Sequence, residues 1–205
     1  MINIKKIFSH IIGNIYIPKD ILHINDPILL HISDTPTILY GPIKKLIHEI
    51  NPTYIVHTGD LVDNIKLEFY PSKIDSYSSS LPRLIEILES SKAKEIYIGL
   101  GNHDKKEVVQ DLCNRSILID SCSKVNIGGI SMNISHYPNK VTLDPGTFNL
   151  FGHNVDMKTH KKNGNIFLNG ITGINIINLN NLDIHILSYP WGTDDVRMRK
   201  SRIGF

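Results

Sequence analysis

The feature that most constrains the fold is a strand-and-turn unit that occurs three times in the first half of the chain. The apolar runs 28–33, 54–58 and 96–100 are rich in β-branched and aromatic residues, which is typical of buried strands. After the first two runs, apolar residues recur at the i, i+3, i+4, i+7 spacing of one helical face. These stripes are Ile43, Leu46, Ile47 and Ile50, then Leu81, Leu84, Ile85 and Leu88. Such repeats predict a parallel sheet whose strand ends share one edge.

After Asp111 the pattern changes to short apolar runs separated by Gly, Asn or Pro. This spacing is typical of hairpins, so we expect the runs to form a second sheet. They span residues 117–119, 125–127, 130–135, 148–151, 166–171, 174–177 and 184–187. The predicted fold class is therefore α/β, with two mixed β-sheets packed face to face and helices outside.

Length and composition predict one globular domain, residues 27–205, after an N-terminal extension of residues 1–26. The 205 residues are 41% apolar and 20% charged, which fits a single core. A formal charge of +2 gives no case for a nucleic-acid surface, and no apolar run is long enough to span a bilayer. The two cysteines, Cys113 and Cys122, favour a reducing cytoplasm over a disulfide scaffold. We expect a cytoplasmic protein without a membrane or nucleic-acid partner, and its oligomeric state stays open.

Six polar residues follow the ends of predicted strands, in the order Asp34, Asp60, Asn102, His103, His136 and His153. Their blocks are Asp34-Thr35-Pro36, Gly59-Asp60-Leu61-Val62-Asp63, Gly101-Asn102-His103-Asp104, the lone His136, and Gly152-His153-Asn154-Val155. The series resembles the calcineurin-like metallophosphoesterase superfamily, whose blocks read Asp-x-His, Gly-Asp-x-x-Asp, Gly-Asn-His-Asp or Glu, a lone His and Gly-His-x-His. Three blocks are intact and two each lack a histidine. The resemblance implies a four-layer αββα sandwich.

The same resemblance implies one complete metal site, formed by Asp60, Asn102, His136 and His153. A second metal would take Asp34 and the shared Asp60, but the two histidines that the family adds are here Pro36 and Val155. We therefore expect one strong site and one weak or altered site. Thr35, Asn154, Asp156 and His160 are candidate replacement ligands, and spacing assigns none of them.

A divalent metal is the cofactor that this ligand set implies. The histidine-containing site suits Mn²⁺, Fe²⁺, Co²⁺, Ni²⁺ or Zn²⁺. A site of two carboxylates and water suits Mg²⁺ or Mn²⁺ better than zinc. Mn²⁺ is the ion that we expect first.

His103 follows directly after the Asn102 ligand position. The resemblance implies that its ring stabilises the phosphate and protonates the leaving group, with Asp104 orienting the imidazole. Binding by the free ring, in place of acid catalysis, is the rival role. We expect Asp63 to support the site by hydrogen bonding rather than to bind metal.

The predicted function is hydrolysis of a phosphomonoester or phosphodiester by in-line attack of metal-bound hydroxide. Phosphate esters are anionic, so this reaction needs cations that neutralise the phosphoryl oxygens. The substrate would be a phosphate-ester small molecule or a nucleotide. The alternative is a non-catalytic metal-binding scaffold or protein-interaction module, which the two missing histidines favour and the retained His103 disfavours.

Other polar residues have simpler interpretations. His31 and His57 lie inside predicted strands, so we expect them to be buried and hydrogen-bonded. The basic residues near the chain end are a solvated tail or, with Tyr189-Pro190-Trp191, a flap that contacts substrate. These basic residues are Arg197, Arg199, Lys200 and Arg202. Selective contacts with a substrate are expected from loops 64–80, 137–147 and 189–205.

Overall fold

The computed structural model describes residues 4–198, which form two β-sheets with helices packed against them. The helices are α1 (Ile4–Ile11), α2 (Lys19–Leu22), α3 (Tyr40–Ile50), α4 (Ile74–Glu89), α5 (Lys106–Leu112), α6 (Pro138–Val141) and α7 (Thr193–Arg197). The strands are β1 (Ile28–Ile32), β2 (Tyr54–His57), β3 (Glu95–Gly99), β4 (Ile117–Ile119), β5 (Cys122–Ile127), β6 (Ile130–Ser135), β7 (Phe148–Phe151), β8 (His160–Lys162), β9 (Asn165–Asn169), β10 (Ile174–Asn178) and β11 (Ile184–Leu187). Short 3₁₀ turns span Thr37–Leu39 and Pro71–Lys73.

The first sheet has six strands in the order β11-β10-β1-β2-β3-β4. Strands β1 to β4 are parallel, and α3, α4 and α5 connect them in turn. Successive crossovers in one direction have the same hand, which places these helices on one face of the sheet. Strand β10 pairs antiparallel with β1, and β11 pairs antiparallel with β10.

The second sheet has five strands in the order β5-β6-β7-β9-β8. Its centre, β6-β7-β9, is parallel, and only the two edge pairs are antiparallel hairpins. The prediction that the apolar runs 117–119, 174–177 and 184–187 belong to this sheet is wrong. They are β4, β10 and β11 of the first sheet. β4 follows β3 and α5 and pairs parallel with β3, whereas β10 pairs with the free edge of β1 and β11 pairs with β10.

Side chains of β1 alternate between the two faces of the first sheet and contact a different layer on each face. Leu30 and Ile32 pack in a cluster with residues of α3 and α4, whereas Leu29 packs between the sheets with residues such as Phe148 and Leu150. A smaller cluster on the far side joins Val141 of α6 to Phe151 and Phe167. The predicted α/β class and αββα layering are confirmed. The outer helical layer on the second sheet, represented by α6, is small.

Helices α1 and α2 lie in residues 4–22, ahead of β1. The ring of His10 in α1 contacts the ring of Trp191 edge-on, with centroids 6.0 Å apart. The boundary between extension and domain at residue 26 stays a prediction. No helix within residues 4–198 has both the length and the hydropathy needed to cross a membrane.

His31 is buried in β1, as predicted for a core histidine. Its Nε2 lies 3.1 Å from Thr58 Oγ1, and its Nδ1 lies 3.1 Å from Asn175 Nδ2. Because an amide nitrogen only donates, Nδ1 accepts and Nε2 carries the hydrogen. Burial lowers the pKa of His31 from 6.5 to about 3.

The His31→Gln variant is therefore expected to make the protein less sensitive to acid. Below pH 6.5 the unfolded chain binds a proton that the folded ring excludes, so native stability falls by about 1.4 kcal/mol per pH unit for this group. The free energy of unfolding, measured by denaturant titration at several pH values between 6 and 4, should fall less steeply with pH in the variant than in wild type. The exposed His48→Gln serves as the control. The same pH dependence in all three proteins would refute the assignment.

Arg197 in α7 folds back beneath the end of β1. Its side chain is buried, and it donates to the carbonyl oxygens of Asp34 (2.7 Å), Ile171 (2.8 Å) and Ser33 (3.3 Å). The guanidinium also lies 4.1 Å from the centre of the Tyr189 ring. Both hypotheses for Arg197 are wrong. It does not belong to a solvated tail, because it is buried, and it does not contact substrate, because its donors are used by these carbonyl oxygens and by the Asp194 carboxylate (3.0 Å). Arg199, Lys200 and Arg202 lie outside the described residues.

We expect Arg197→Met to lower the free energy of unfolding by about 2–6 kcal/mol, because two or more buried carbonyl oxygens lose their donors. The exposed Arg83→Met is the matched control and should change stability little. Chemical denaturation of the two variants measures the difference. If Arg197→Met lowers the free energy of unfolding no more than Arg83→Met does, these hydrogen bonds do not stabilise the loop after β1.

Candidate metal centre

The site lies where five strand ends meet. Asp34, Asp60 and Asn102 follow β1, β2 and β3, and His136 and His153 follow β6 and β7. Backbone hydrogen bonds join these loops, from Asp34 N to Gly59 O (2.9 Å) and from Gly152 N to His136 O (3.0 Å). Residues scattered over more than a hundred positions are therefore brought to one edge of the sandwich, where α/β sheets hold ligands.

The backbone at this edge is unusual. Asp34, Asp60 and His153 have φ angles of 49°, 55° and 66°, a left-handed conformation that costs non-glycine residues free energy and is common at functional sites. Gly59 permits the close approach, since a Cβ there would lie 2.6 Å from Gly101 N and 2.9 Å from His136 Nδ1. The glycines before the polar residues thus leave room for adjacent loops to touch.

Four potential metal ligands lie together, Nε2 of the buried His136 ring and three atoms around it. Its Nε2 lies 3.1 Å from Asn102 Oδ1, 3.1 Å from His153 Nδ1 and 3.6 Å from Asp60 Oδ2. Two ligands that each lie about 2.0–2.2 Å from one ion are separated by about this distance. His136 Nδ1 lies 2.8 Å from Thr58 O, an oxygen that only accepts, so Nδ1 carries the hydrogen and Nε2 presents its lone pair.

Glu68 fixes the orientation of the Asn102 amide. Its Oε2 accepts a 2.7 Å hydrogen bond from Asn102 Nδ2, which leaves Oδ1 facing His136. Outer contacts of this kind set the geometry of metal ligands. No sequence motif marks Glu68, although it lies in the loop 64–80 from which site contacts were expected.

Asp34 lies beside the shared carboxylate of Asp60. Its Oδ2 accepts hydrogen bonds from Ser33 Oγ (2.5 Å) and from the backbone N of His153 (3.1 Å). Asp34, Asp60 and His136 each offer one ligand atom, and these atoms lie within 4.8 Å of one another. A second metal held by Asp34 and the shared Asp60 carboxylate would therefore lie next to the site formed by Asp60, Asn102, His136 and His153.

A second donor group, which includes Asp63, also shares the Asp60 carboxylate. Ligand atoms of Asp60, Asp63 and His103 lie within 4.8 Å of one another. Asp63 Oδ1 pairs with Lys66, and its Oδ2 is buried without a hydrogen-bond partner in the described part of the chain. Burial first, and then the charge of Asp34, raise the pKa values of Asp60 and Asp63 well above normal. Crowded, under-satisfied carboxylates of this kind fit a bound cation.

Comparison with known proteins agrees with this geometry. The family model described as calcineurin-like phosphoesterase matches residues 20–199. This chain belongs to the calcineurin-like phosphoesterase family. The resemblance found in the sequence blocks is thus confirmed, and with it the expectation, at the level of the family, of divalent metal ions. None of the curated proteins compared with this chain matches it in sequence.

Solved structures share the family fold. A novel archaeal phosphodiesterase superposes with a TM-score of 0.55 at 17% identity, covering 78% of this chain and 99% of its own. Yfce, a phosphoesterase from E. coli, gives a TM-score of 0.54 at 14% identity, covering 80% of this chain and 99% of its own. At such low identity these likenesses establish the fold alone.

Asp104, in the family's Gly-Asn-His-Asp block, has a different role from the one predicted. Its carboxylate accepts four hydrogen bonds, from the backbone N of Asp60 (2.8 Å), Leu61 (2.9 Å) and Gly101 (2.9 Å) and from the hydroxyl of Tyr77 (3.0 Å). The prediction that Asp104 orients the His103 imidazole is wrong, because both of its oxygens are occupied by these donors. Asp104 instead ties the loop after β2 to the loop after β3.

His103 is buried, with its ring centroid 5.4 Å from that of Phe69. Asp60 Oδ1 accepts a 3.0 Å hydrogen bond from its backbone N. Burial first, and then the charge of Lys66, lower the pKa of His103 to about 4. An anionic phosphate next to the ring would act in the opposite direction and favour the imidazolium.

The candidate replacement ligands are not gathered at the altered site. Thr35 Oγ1 lies 2.8 Å from His57 Nε2, and Asn154 Oδ1 accepts from the backbone N of Asp156 at 2.8 Å. His160, in β8, stacks on Phe167 with ring centroids 4.8 Å apart. Neither Asp156 nor His160 belongs to the donor groups found among residues 4–198. The missing histidines at positions 36 and 155 are therefore not replaced by these residues.

Proposed function

We propose that this chain is a metal-dependent phosphoesterase that hydrolyses a phosphomonoester or phosphodiester, with one complete metal site and one altered site. The observation that carries the proposal is the convergence of Asn102 Oδ1, His153 Nδ1 and Asp60 Oδ2 on His136 Nε2. The complete site would consist of Asp60, Asn102, His136 and His153, with Asp34 contributing to the altered one. Mixed nitrogen and oxygen ligands suit Mn²⁺, and also Fe²⁺, Zn²⁺ or Ni²⁺.

The roles of the residues follow from their positions. A bound divalent ion supplies a Lewis acid for the phosphoryl oxygens and lowers the pKa of water. His103 lies next to the Asp60 and Asp63 carboxylates, and Asp60 is also one of the four proposed ligands of the complete site. In that position His103 would hydrogen-bond the phosphate and pass a proton to the departing oxygen.

The mouth of the site supports a small phosphate ester or nucleotide as substrate. Phe69 is 67% exposed beside His103, and the Tyr137 ring lies 4.9 Å from the His153 ring. Two aromatic rings at an anion-binding site suit an ester with an aryl or base group. We also propose a cytoplasmic location, which the free thiols of Cys113 and Cys122 support.

Metal reconstitution tests this function. The purified protein is stripped with a chelator and reloaded with Mn²⁺, Fe²⁺, Zn²⁺, Ni²⁺ or Mg²⁺ in turn. Metal content is measured by mass spectrometry, and hydrolysis is measured with p-nitrophenyl phosphate, bis(p-nitrophenyl) phosphate and nucleotides. We expect turnover only in loaded protein. Folded, metal-loaded protein that hydrolyses none of these esters would instead favour a non-catalytic scaffold.

A further inference from the structure

Three carboxylates are buried together at the altered half of the site. Asp34, Asp60 and Asp63 are 2%, 2% and 1% exposed. Asp63 N donates to Thr35 O at 3.1 Å, and Thr35 N donates to Asp60 O at 2.9 Å, so the three residues belong to adjoining loops. Buried carboxylates without a balancing cation are strongly unfavourable. A positive charge here would stabilise the ionised carboxylates, whether it comes from an ion or from the chain.

The chain supplies such a charge in Lys66. Its Nζ pairs with Asp63 Oδ1, and its side chain is only 23% exposed. Asp63 in turn belongs to the donor group that it forms with Asp60 and His103, whose ligand atoms lie within 4.8 Å of one another. The ammonium group that pairs with Asp63 therefore lies next to this donor group.

We propose that the Lys66 ammonium takes the place of the second metal ion, so that this enzyme works with one metal and one built-in cation. The proposal rests on the proposed function. It accounts for two observations at once, the loss of both histidines of the second metal at Pro36 and Val155 and the ion pair that Lys66 makes with Asp63.

Lys66 and a metal ion would differ in what they can do. An ammonium group has three donors and a charge that persists at neutral pH, so it can hold a phosphoryl oxygen and neutralise developing charge. It has no open coordination position and cannot activate water. Water activation would then be confined to the ion held by Asp60, Asn102, His136 and His153, while Lys66, paired with Asp63, would bind a phosphate oxygen.

Metal stoichiometry tests this directly. Isothermal titration calorimetry with Mn²⁺, checked by elemental analysis, is carried out on wild type, Lys66→Met, Lys66→Arg and the exposed-surface control Lys45→Met. We expect one ion per chain in wild type, Lys66→Arg and Lys45→Met. Lys66→Met should bind a second ion, because the freed carboxylates then lack a cation. Its turnover should fall at low Mn²⁺ and recover in part as the second ion binds.

The outcomes separate the two proposals. Two ions in wild type, unchanged in Lys66→Met, would overturn the role of Lys66 and leave the phosphoesterase proposal intact. No bound ion in any of these proteins would overturn both proposals. If Lys66→Met fails to fold, Lys66→Gln is titrated in its place. A second ion in Lys66→Gln but not in wild type supports the inference, and equal stoichiometry in the two proteins contradicts it.

Discussion

Replacing His103 by alanine is expected to lower the turnover of a phosphate ester about 100- to 10,000-fold, the range for loss of a general acid, while metal content stays unchanged. The ring is buried beside the Asp60 and Asp63 carboxylates, but the four donors around His136 do not include it. Its removal should therefore leave the proposed four-ligand metal site assembled and remove only the group that we propose to contact phosphate.

Steady-state kinetics together with elemental analysis measure this effect, with the exposed His48→Ala as the matched control. If His103→Ala loses metal in proportion to activity, the rival role of His103 as a ligand is correct. If turnover is unchanged with metal retained, His103 has no part in the reaction.

Replacing Asp60 by asparagine is expected to have opposite effects on function and on stability. The carboxylate is shared by both donor groups, so metal affinity should fall by about 100-fold or more, beyond the 10- to 100-fold loss typical of residues that only support ligands. The metal-free protein should become more stable at neutral pH, by about 1.4 kcal/mol for each unit by which the folded state raises the pKa of Asp60. Asn retains an oxygen that can accept from the backbone N of His103.

The pH dependence gives this prediction a second check. Burial and Asp34 raise the folded-state pKa of Asp60 above its unfolded value, so ionisation opposes folding at neutral pH. The gain in the free energy of unfolding of Asp60→Asn over wild type should reach its maximum above the folded-state pKa of Asp60. It should vanish below about pH 4, where the carboxyl is protonated in the unfolded chain as well. Chelator-treated proteins, with the exposed Asp111→Asn as control, are compared by denaturant unfolding. A metal-free variant less stable than wild type at pH 7 would contradict the argument.

The local units of this fold could be predicted from the sequence because they depend on short-range periodicity. Buried strands such as 28–32 and the stripe on α3 have patterns that a few neighbouring residues define. The chain order of Asp34, Asp60, Asn102, His136 and His153 was likewise visible, since each follows a strand. Parallel strand ends share one edge, so the convergence of Asp34, Asp60 and Asn102 could be expected from the sequence. That His136 and His153 join them was implied only by the resemblance to the family.

Long-range pairing was decided only by the tertiary structure. The run 174–178 has the same apolar character as the strands of the second sheet, and only its hydrogen bonds to β1 place it in the first. Two partners of Asp104 are backbone amides more than forty positions away, and a third is the Tyr77 hydroxyl. No local pattern specifies such donors.

The sequence by itself determined the βα units and the identity and order of the polar groups at the strand ends. The tertiary structure decided what each of those groups contacts, including Glu68 on Asn102, Lys66 on Asp63 and Arg197 beneath Asp34. The physical reason is that periodicity is set by neighbours within a few residues. A side-chain hydrogen bond or ion pair instead depends on the packing of segments distant in the chain, and residue spacing does not encode that packing.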